Sequence, residues 1–305
     1  MRHADISPAE LATSTWVSAA SRRLDRYLEL TKPKVVATIV FTALVGMLLA
    51  ARDLPPLGLV LRALLGIWLA AASAAALNHV LDRKFDAKMR RTRRRPLPSG
   101  QLTARAALVF AGILGVLSML ILAWLVNPLT AFLTFMSLIG YSVLYTVWLK
   151  HLTPQNIVIG GAAGAMPPVL GWAAVTNGVS ADAWLLLGVI FTWTPPHFWA
   201  LAVARRDEYA SAGIPMLPVT HGVEFTCTYI LLYTVLLIVV TTLPYLTGMS
   251  GLIYLIGALM LNAAFLRDAL ALRASPTPKL AMRTFRHSIR YLLLLFTLLL
   301  VDHYS

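Results

Sequence analysis

Charge is scarce in this sequence. Only 13% of its 305 residues are Asp, Glu, Lys or Arg, about half the share of a soluble domain. That scarcity excludes a pair of soluble globular domains. With 58% apolar residues and a mean hydropathy of +0.73, the chain reads as a membrane protein. Acids are rarer than bases, 13 against 26, which leaves a net charge of +13. Cysteine is nearly absent. Cys227 stands alone in an apolar run, which excludes a disulfide framework and CxxC redox chemistry. The first thirty residues lack the apolar core of a signal peptide, so none is expected, and Asp5, Glu10 and Asp25 weigh against a mitochondrial transit segment. Short alternating strands are missing too, which excludes an outer-membrane barrel. An open sheet cannot cross lipid, so the expected fold is all-α, a polytopic membrane helical bundle.

What is present is a series of helix-length apolar runs. They predict nine spans, near 35–51, 58–80, 104–125, 129–148, 156–175, 183–204, 223–246, 251–272 and 288–302. The fifth, with "IGGAAGAMPPVLGW", is interrupted by four glycines and a Pro-Pro pair, which predicts a kink or close packing through small residues. The chain divides into a cytoplasmic N-terminal segment, 1–30, and a transmembrane domain, 31–305. Lys and Arg gather in 22–34, 81–103, 149–155, 205–222 and 273–287, and the opposite loops hold almost none beyond Arg52. The positive-inside rule accounts for this basicity and puts the N-terminus in the cytoplasm and the terminal "VDHYS" outside. It also removes the reason to invoke nucleic acid; the partner is the lipid bilayer.

Two of the basic loops carry acids. In "LNHVLDRKFDAKMRRTRRRPLPSG", Asn78, Asp82 and Asp86 recur every four residues and share one helix face. Two carboxylates and an amide oxygen on one ridge suit Mg²⁺, a hard cation that keeps company with substrate phosphates. The flanking Arg83, Lys84, Lys88, Arg90, Arg91, Arg93, Arg94 and Arg95 are candidates to meet those phosphates. The bland alternative is a helix end with local ion pairs. The second stretch, "ARRDEYASAGIPMLP", combines Arg205, Arg206, Asp207 and Glu208 at the cytoplasmic end of the sixth span. A second acidic site facing the first would let two metal ions bracket one diphosphate; the alternative is a solvated loop. Between them, Tyr145, Lys150 and Asn156 place a phenol, a point charge and an amide at the same face, where an interfacial anchor is the simpler reading.

Among the histidines, His3, His221, His287 and His303 are expected in solvated loops or termini. His197, in "FTWTPPHFWALA", falls mid-span, where it is either a packed core histidine or a ligand to a metal or haem iron. His79 and His151 stand beside the acidic and Lys150 motifs, within reach of a substrate there.

The first acidic stretch resembles the Asn-xxx-Asp-xxx-Asp motif of the UbiA-type membrane prenyltransferases. "LTKPKV", "TPQNIVIGGAAGAMPPVLGW" and "HFWALAVARRDEYASAGIPMLPV" are similar to the haem-farnesylating branch of that family. The resemblance implies about nine transmembrane helices around a central cavity, Mg²⁺ as cofactor, farnesyl diphosphate as donor and haem B as acceptor. It also implies a bacterial inner-membrane location and the downstream haem A synthase as a partner. Carried over by position, Asn78, Asp82, Asp86 and Asp207 hold metal, and Asp82, Asp86 and Asp207 are catalytic. By the same carry-over Arg91 and Arg95 are the motif's basic companions; Arg83, Lys84, Tyr145, Lys150, Asn156, His197 and Arg206, by their own chemistry and position, are expected to complete the substrate site with Asn78. There are two departures. His79 stands where quinone-prenylating members carry Asp, which argues against a quinone precursor as acceptor. Ser211 stands where a second Asp is usual, which argues against a symmetric second metal site. The remaining alternatives are an aromatic acceptor and, in other classes, a transporter or a non-catalytic assembly factor. A transporter predicts internal repeats and a midplane site, whereas the acids here lie near one face and the two halves show no repeat.

Overall fold

The computed structural model describes residues 23–142 and 153–305, and among them there is helix but no strand. Thirteen helices make up the described bundle. The first two are α1 (Arg23–Leu30) and α2 (Pro33–Leu49), bent by 49° where they meet. Next come α3 (Leu57–Asp86), α4 (Ala104–Leu125), α5 (Pro128–Ile139), α6 (Asn156–Gly164) and α7 (Pro167–Thr176). The rest are α8 (Ala181–Ala204), α9 (Arg206–Ala212), α10 (Leu217–Thr220), α11 (Val223–Leu246), α12 (Leu252–Ala274) and α13 (Pro278–His303).

Seven of the described spans, α6 and α7 together counting as one, are long and apolar enough to cross a membrane, and the bent pair α1–α2 makes eight. The fourth expected span, 129–148, is described only over Pro128–Ser142. Helix starts follow local chemistry. Thr103, Asn127, Ser180 and Thr277 each accept a hydrogen bond from the backbone of the first turn they cap. Proline opens α2, α5, α7 and α13, where its missing N–H costs nothing.

The fifth span is broken, as its glycines and prolines predict, into α6 and α7. The break lets α7 press backbone to backbone on α2: a Cβ added to Gly46 would lie 2.1 Å from the Pro168 carbonyl oxygen, and one on Gly171 2.0 Å from that of Ala43. Only glycine fits at either position. Small residues also join α3 to α4, where Ser73 Oγ donates to the Ala111 carbonyl at 2.8 Å and Ser118 Oγ to that of Gly66 at 2.7 Å. From α2 the packing runs through α3, α4, α5 and α7 to α8, then α11, α12 and α13, and α13 returns to both α8 and α2. Asp302 accepts from the backbone N–H groups of Gly251 and Tyr254 at the start of α12, while Tyr304 donates to the Leu48 carbonyl at the end of α2.

One expected boundary moves. The apolar run predicts a last span at 288–302, yet α13 begins at Pro278. Its first turns carry exposed Lys279, Arg283, Arg286 and Arg290 on one side and buried Ala281, Thr284 and Ser288 on the other. An amphipathic stretch of this kind escapes a search for apolar runs. His287 is therefore not a solvated loop residue: it lies on α13, 2.8 Å from the buried Asp268 of α12, which also pairs with Arg283. His303 likewise meets the Ala51 carbonyl oxygen at 2.9 Å.

Candidate active site

The length of α3 positions the first acidic motif. Thirty residues rise about 45 Å at 1.5 Å each, more than the roughly 30 Å of a bilayer's hydrocarbon core, so the last turns reach the headgroup level. Asn78, Asp82 and Asp86 line one face of those turns and are buried, 6%, 5% and 5% exposed. Lone carboxylates at that depth would be costly to ionise. Asp82 Oδ2 accepts from Asn78 Nδ2 at 2.8 Å, and Asn78 Oδ1 accepts from Lys32 Nζ at 2.5 Å. Asp86 Oδ2 pairs with the Arg95 guanidinium at 2.8 Å.

Arg95 reaches back nine residues because the segment after α3 coils instead of trailing. The Thr92 hydroxyl donates to the Asp86 carbonyl at 2.9 Å, and backbone bonds Thr92 to Met89 and Arg95 to Thr92 wind the chain in short turns. Of the eight cations flanking the ridge, Arg95 alone is half-buried; Arg83, Lys84, Lys88, Arg90, Arg91, Arg93 and Arg94 are exposed.

Lys32 was not anticipated as a site residue, although it lies in the "LTKPKV" block. It sits at the α1–α2 bend with φ 49° and ψ 58°, a left-handed conformation uncommon outside glycine, asparagine and aspartate. Tyr141, at the end of the α5 segment, lies close enough to Asp82 to feel its charge. Tyr145 and Lys150 lie outside the described residues. Asn156, at the start of α6, is fully buried.

The second motif is arranged differently. Asp207 is exposed on α9 and lines a cleft of about 340 Å³ with Pro276 and Pro278 from the α12–α13 turn. Glu208 pairs with Arg205 at 2.8 Å, Arg206 Nε donates to the Pro218 carbonyl at 3.1 Å, and the Ser211 hydroxyl bonds back to the Glu208 carbonyl at 3.0 Å. Among the described residues no three His, Cys, Asp or Glu side chains gather as a metal site, so Asp207 does not join Asp82 and Asp86 here. Contact between the two loops comes instead through Tyr209, which sequence reasoning missed. Burial pushes its hydroxyl pKa up, while the charges of Arg91, Arg205 and Arg95 oppose the shift. Tyr209 packs against the apolar cluster that includes Met89 of the turns after α3, near enough to Arg91 and Arg95 to feel their charges.

His197 is held on three sides. Its ring stacks on Trp193 at 4.2 Å and on Phe285 at 4.5 Å, and Nδ1 lies 2.6 Å from Ser288 Oγ. The Ser288 hydroxyl donates its single proton to the Phe285 carbonyl at 2.7 Å, so it accepts from His197. That assigns the proton to Nδ1 and leaves the lone pair on Nε2.

The donor set fits a hard divalent cation. Every candidate ligand atom on the α3 ridge is an amide or carboxylate oxygen, and the ammonium and guanidinium already drawn to that ridge show that it attracts positive charge.

The sequence profile of the UbiA prenyltransferase family matches residues 39–297, and the chain belongs to that family. It is a multi-pass membrane protein built on that family's helical fold. Within the family, three relatives named protoheme IX farnesyltransferase are similar over nearly their whole length. The protein from Thioalkalivibrio sulfidiphilus is 61% identical over 92% of this chain and 92% of its own. That from Methylococcus capsulatus is 59% identical over 91% and 93%, and that from Idiomarina loihiensis 56% over 96% and 99%. Among solved structures, a study of digeranylgeranylglyceryl phosphate synthase gives a TM-score of 0.77 at 19% identity, covering 93% of this chain and 99% of that one. An Archaeoglobus fulgidus UbiA homolog bound to DMAPP and Mg²⁺ gives 0.61 at 16%, covering 90% and 99%. These two likenesses concern the fold alone.

Proposed function

We propose that this chain transfers the farnesyl group of farnesyl diphosphate to a vinyl group of haem B, making haem O for terminal oxidases in the bacterial inner membrane. The observation that carries the reading is the buried Asn78–Asp82–Asp86 ridge with Lys32 and Arg95 folded onto it; the names of the relatives at 56–61% identity support the choice of donor and acceptor.

Asn78, Asp82 and Asp86 would hold Mg²⁺, with Asp207 brought in from the second loop. When bound, the ion supplies positive charge against the leaving diphosphate. Lys32 and Arg95 already stand at the ridge, and there they would take phosphate oxygens as charge develops, the arginine through two parallel N–H groups. Arg206 and the exposed Arg83, Lys84 and Arg91 would add positive potential at the mouth, which draws the anionic donor in. The C–O bond to the diphosphate breaks, the vinyl carbon joins the farnesyl C1, and water captures the resulting cation with loss of a proton. The product is hydroxyethylfarnesyl haem. Apolar helix walls keep other water from the allylic cation. Tyr145, Lys150 and Asn156 would line the same mouth.

His197 lies seven residues before the end of α8 at Ala204, about 10 Å deeper than that end at the helical rise. Its Nε2 lone pair, with Nδ1–H anchored on Ser288, is the arrangement of a ligating histidine, and we assign it to the haem iron. Basic loops on one face support a cytoplasmic N-terminus and an external C-terminus, and haem A synthase would receive the product.

The test is incubation of purified protein with haem B, farnesyl diphosphate and Mg²⁺, followed by mass spectrometry of the extracted haem. Formation of haem O is expected; prenylation of an aromatic quinone precursor in its place would overturn the reading. In the same preparation, His197→Ala should shift the haem absorption spectrum and leave farnesyl diphosphate affinity unchanged. An unaltered spectrum in a folded variant would return His197 to the core.

A further inference from the structure

One buried histidine beside the ridge has no hydrogen bond on either nitrogen. His79 is 2% exposed, and neither Nδ1 nor Nε2 has a partner among the described residues. His197, the other buried imidazole of the bundle, has a hydroxyl partner on Nδ1 and rings stacked on both faces. A neutral imidazole always carries one N–H donor and one acceptor, so a buried ring with neither satisfied is destabilising. A leucine or phenylalanine at position 79 would remove that penalty.

The surroundings say what would satisfy it. His79 follows Asn78 and lies three residues from Asp82, which puts it on the flank of the same ridge. It lies close enough to Lys32 and Arg95 to feel both charges. Two cations converging on one buried N–H donor make a place for anionic oxygen, and those same cations hold the ridge where the diphosphate is assigned. Resting on that assignment, we propose that His79 is a further substrate-positioning residue, whose ring N–H hydrogen-bonds a diphosphate oxygen of the prenyl donor.

The experiment compares wild type, His79→Leu and His79→Asn as purified full-length chains, with Mg²⁺ and farnesyl diphosphate but no haem, so that binding is read without turnover. His79→Phe, which keeps the ring volume, repeats the measurement should the leucine variant not fold. Loss of one hydrogen bond to a charged group weakens binding by about tenfold to a hundredfold. The expected result is that loss in the leucine variant, together with an equal or higher melting temperature in the absence of ligand. The asparagine variant, which keeps an N–H donor, should recover most of the affinity. Haem titrations should be the same in all three. Unchanged farnesyl diphosphate affinity in a folded apolar variant would overturn the inference, as would a defect confined to the haem titration, which would point to the haem carboxylates or iron. A wild type that does not bind farnesyl diphosphate would instead overturn the functional reading beneath it.

Discussion

At the end of α3, Asp82 and Asp86 are buried and Asp86 meets a guanidinium folded back onto it, whereas Asp207 stands exposed on the short α9. The residue types are alike in the two motifs, acid beside base at the mouth of the bundle. Their supports differ. The first motif belongs to a thirty-residue helix packed along α4 and α2, and its cations come from two other parts of the chain. The second rides on seven residues between α8 and α10, with Glu208 occupied by its own neighbour Arg205. Under the proposed function, the contrast separates a site built before substrate arrives from a loop that substrate has yet to recruit.

The largest effect belongs to the first motif. Asp82→Asn and Asp86→Asn should each lower turnover by about a thousandfold while membrane insertion stays intact. A near-normal rate at limiting Mg²⁺ in either variant would break the comparison. Asp207→Asn should lower turnover by about a hundredfold and yet leave Mg²⁺ binding without diphosphate unchanged, as isothermal titration would show. If Mg²⁺ binding in the absence of substrate also falls, the second loop is as preformed as the first. Arg95→Gln removes the partner of a buried carboxylate, so it should lower the melting temperature and weaken farnesyl diphosphate by about tenfold. An unchanged melting temperature would mean that the pair with Asp86 contributes nothing. Smallest of all, Ser211→Ala should alter turnover by less than about twofold, because that exposed hydroxyl is bonded to its own helix. A loss of tenfold there would revive a symmetric second metal site.

Much of this architecture was readable in advance. Apolar runs located the helices, and glycine with proline located the break between α6 and α7, because those signals are local. The start of α13 was not readable, since its basic face masks a buried one made of Ala281, Thr284 and Ser288. Four-residue spacing was enough to place Asn78, Asp82 and Asp86 together on one face of α3, which is buried. Within "RRTRRRP" the family resemblance singles out Arg91 and Arg95 alike; the turns closed by Thr92 bring Arg95 to Asp86 and leave Arg91 exposed. Lys32 and Asn78 are 46 residues apart, and His197 and Ser288 are 91 apart, so only the assembled bundle brings them together. Tyr209 was missed because one aromatic in a charged loop looks like an interfacial anchor.

Position 32 faces two demands that no single residue meets well. A left-handed backbone favours glycine, asparagine or aspartate, whereas reaching Asn78 needs a long side chain ending in a positive charge. Glycine there would relax the bend and lose the ammonium; arginine would keep a cation at the same backbone strain. A saturation library at this one codon should therefore split, with glycine enriched when survivors are selected for folded protein and lysine or arginine when they are selected for haem O. A residue whose best replacement depends on what is selected marks where this bundle trades ease of folding for chemistry.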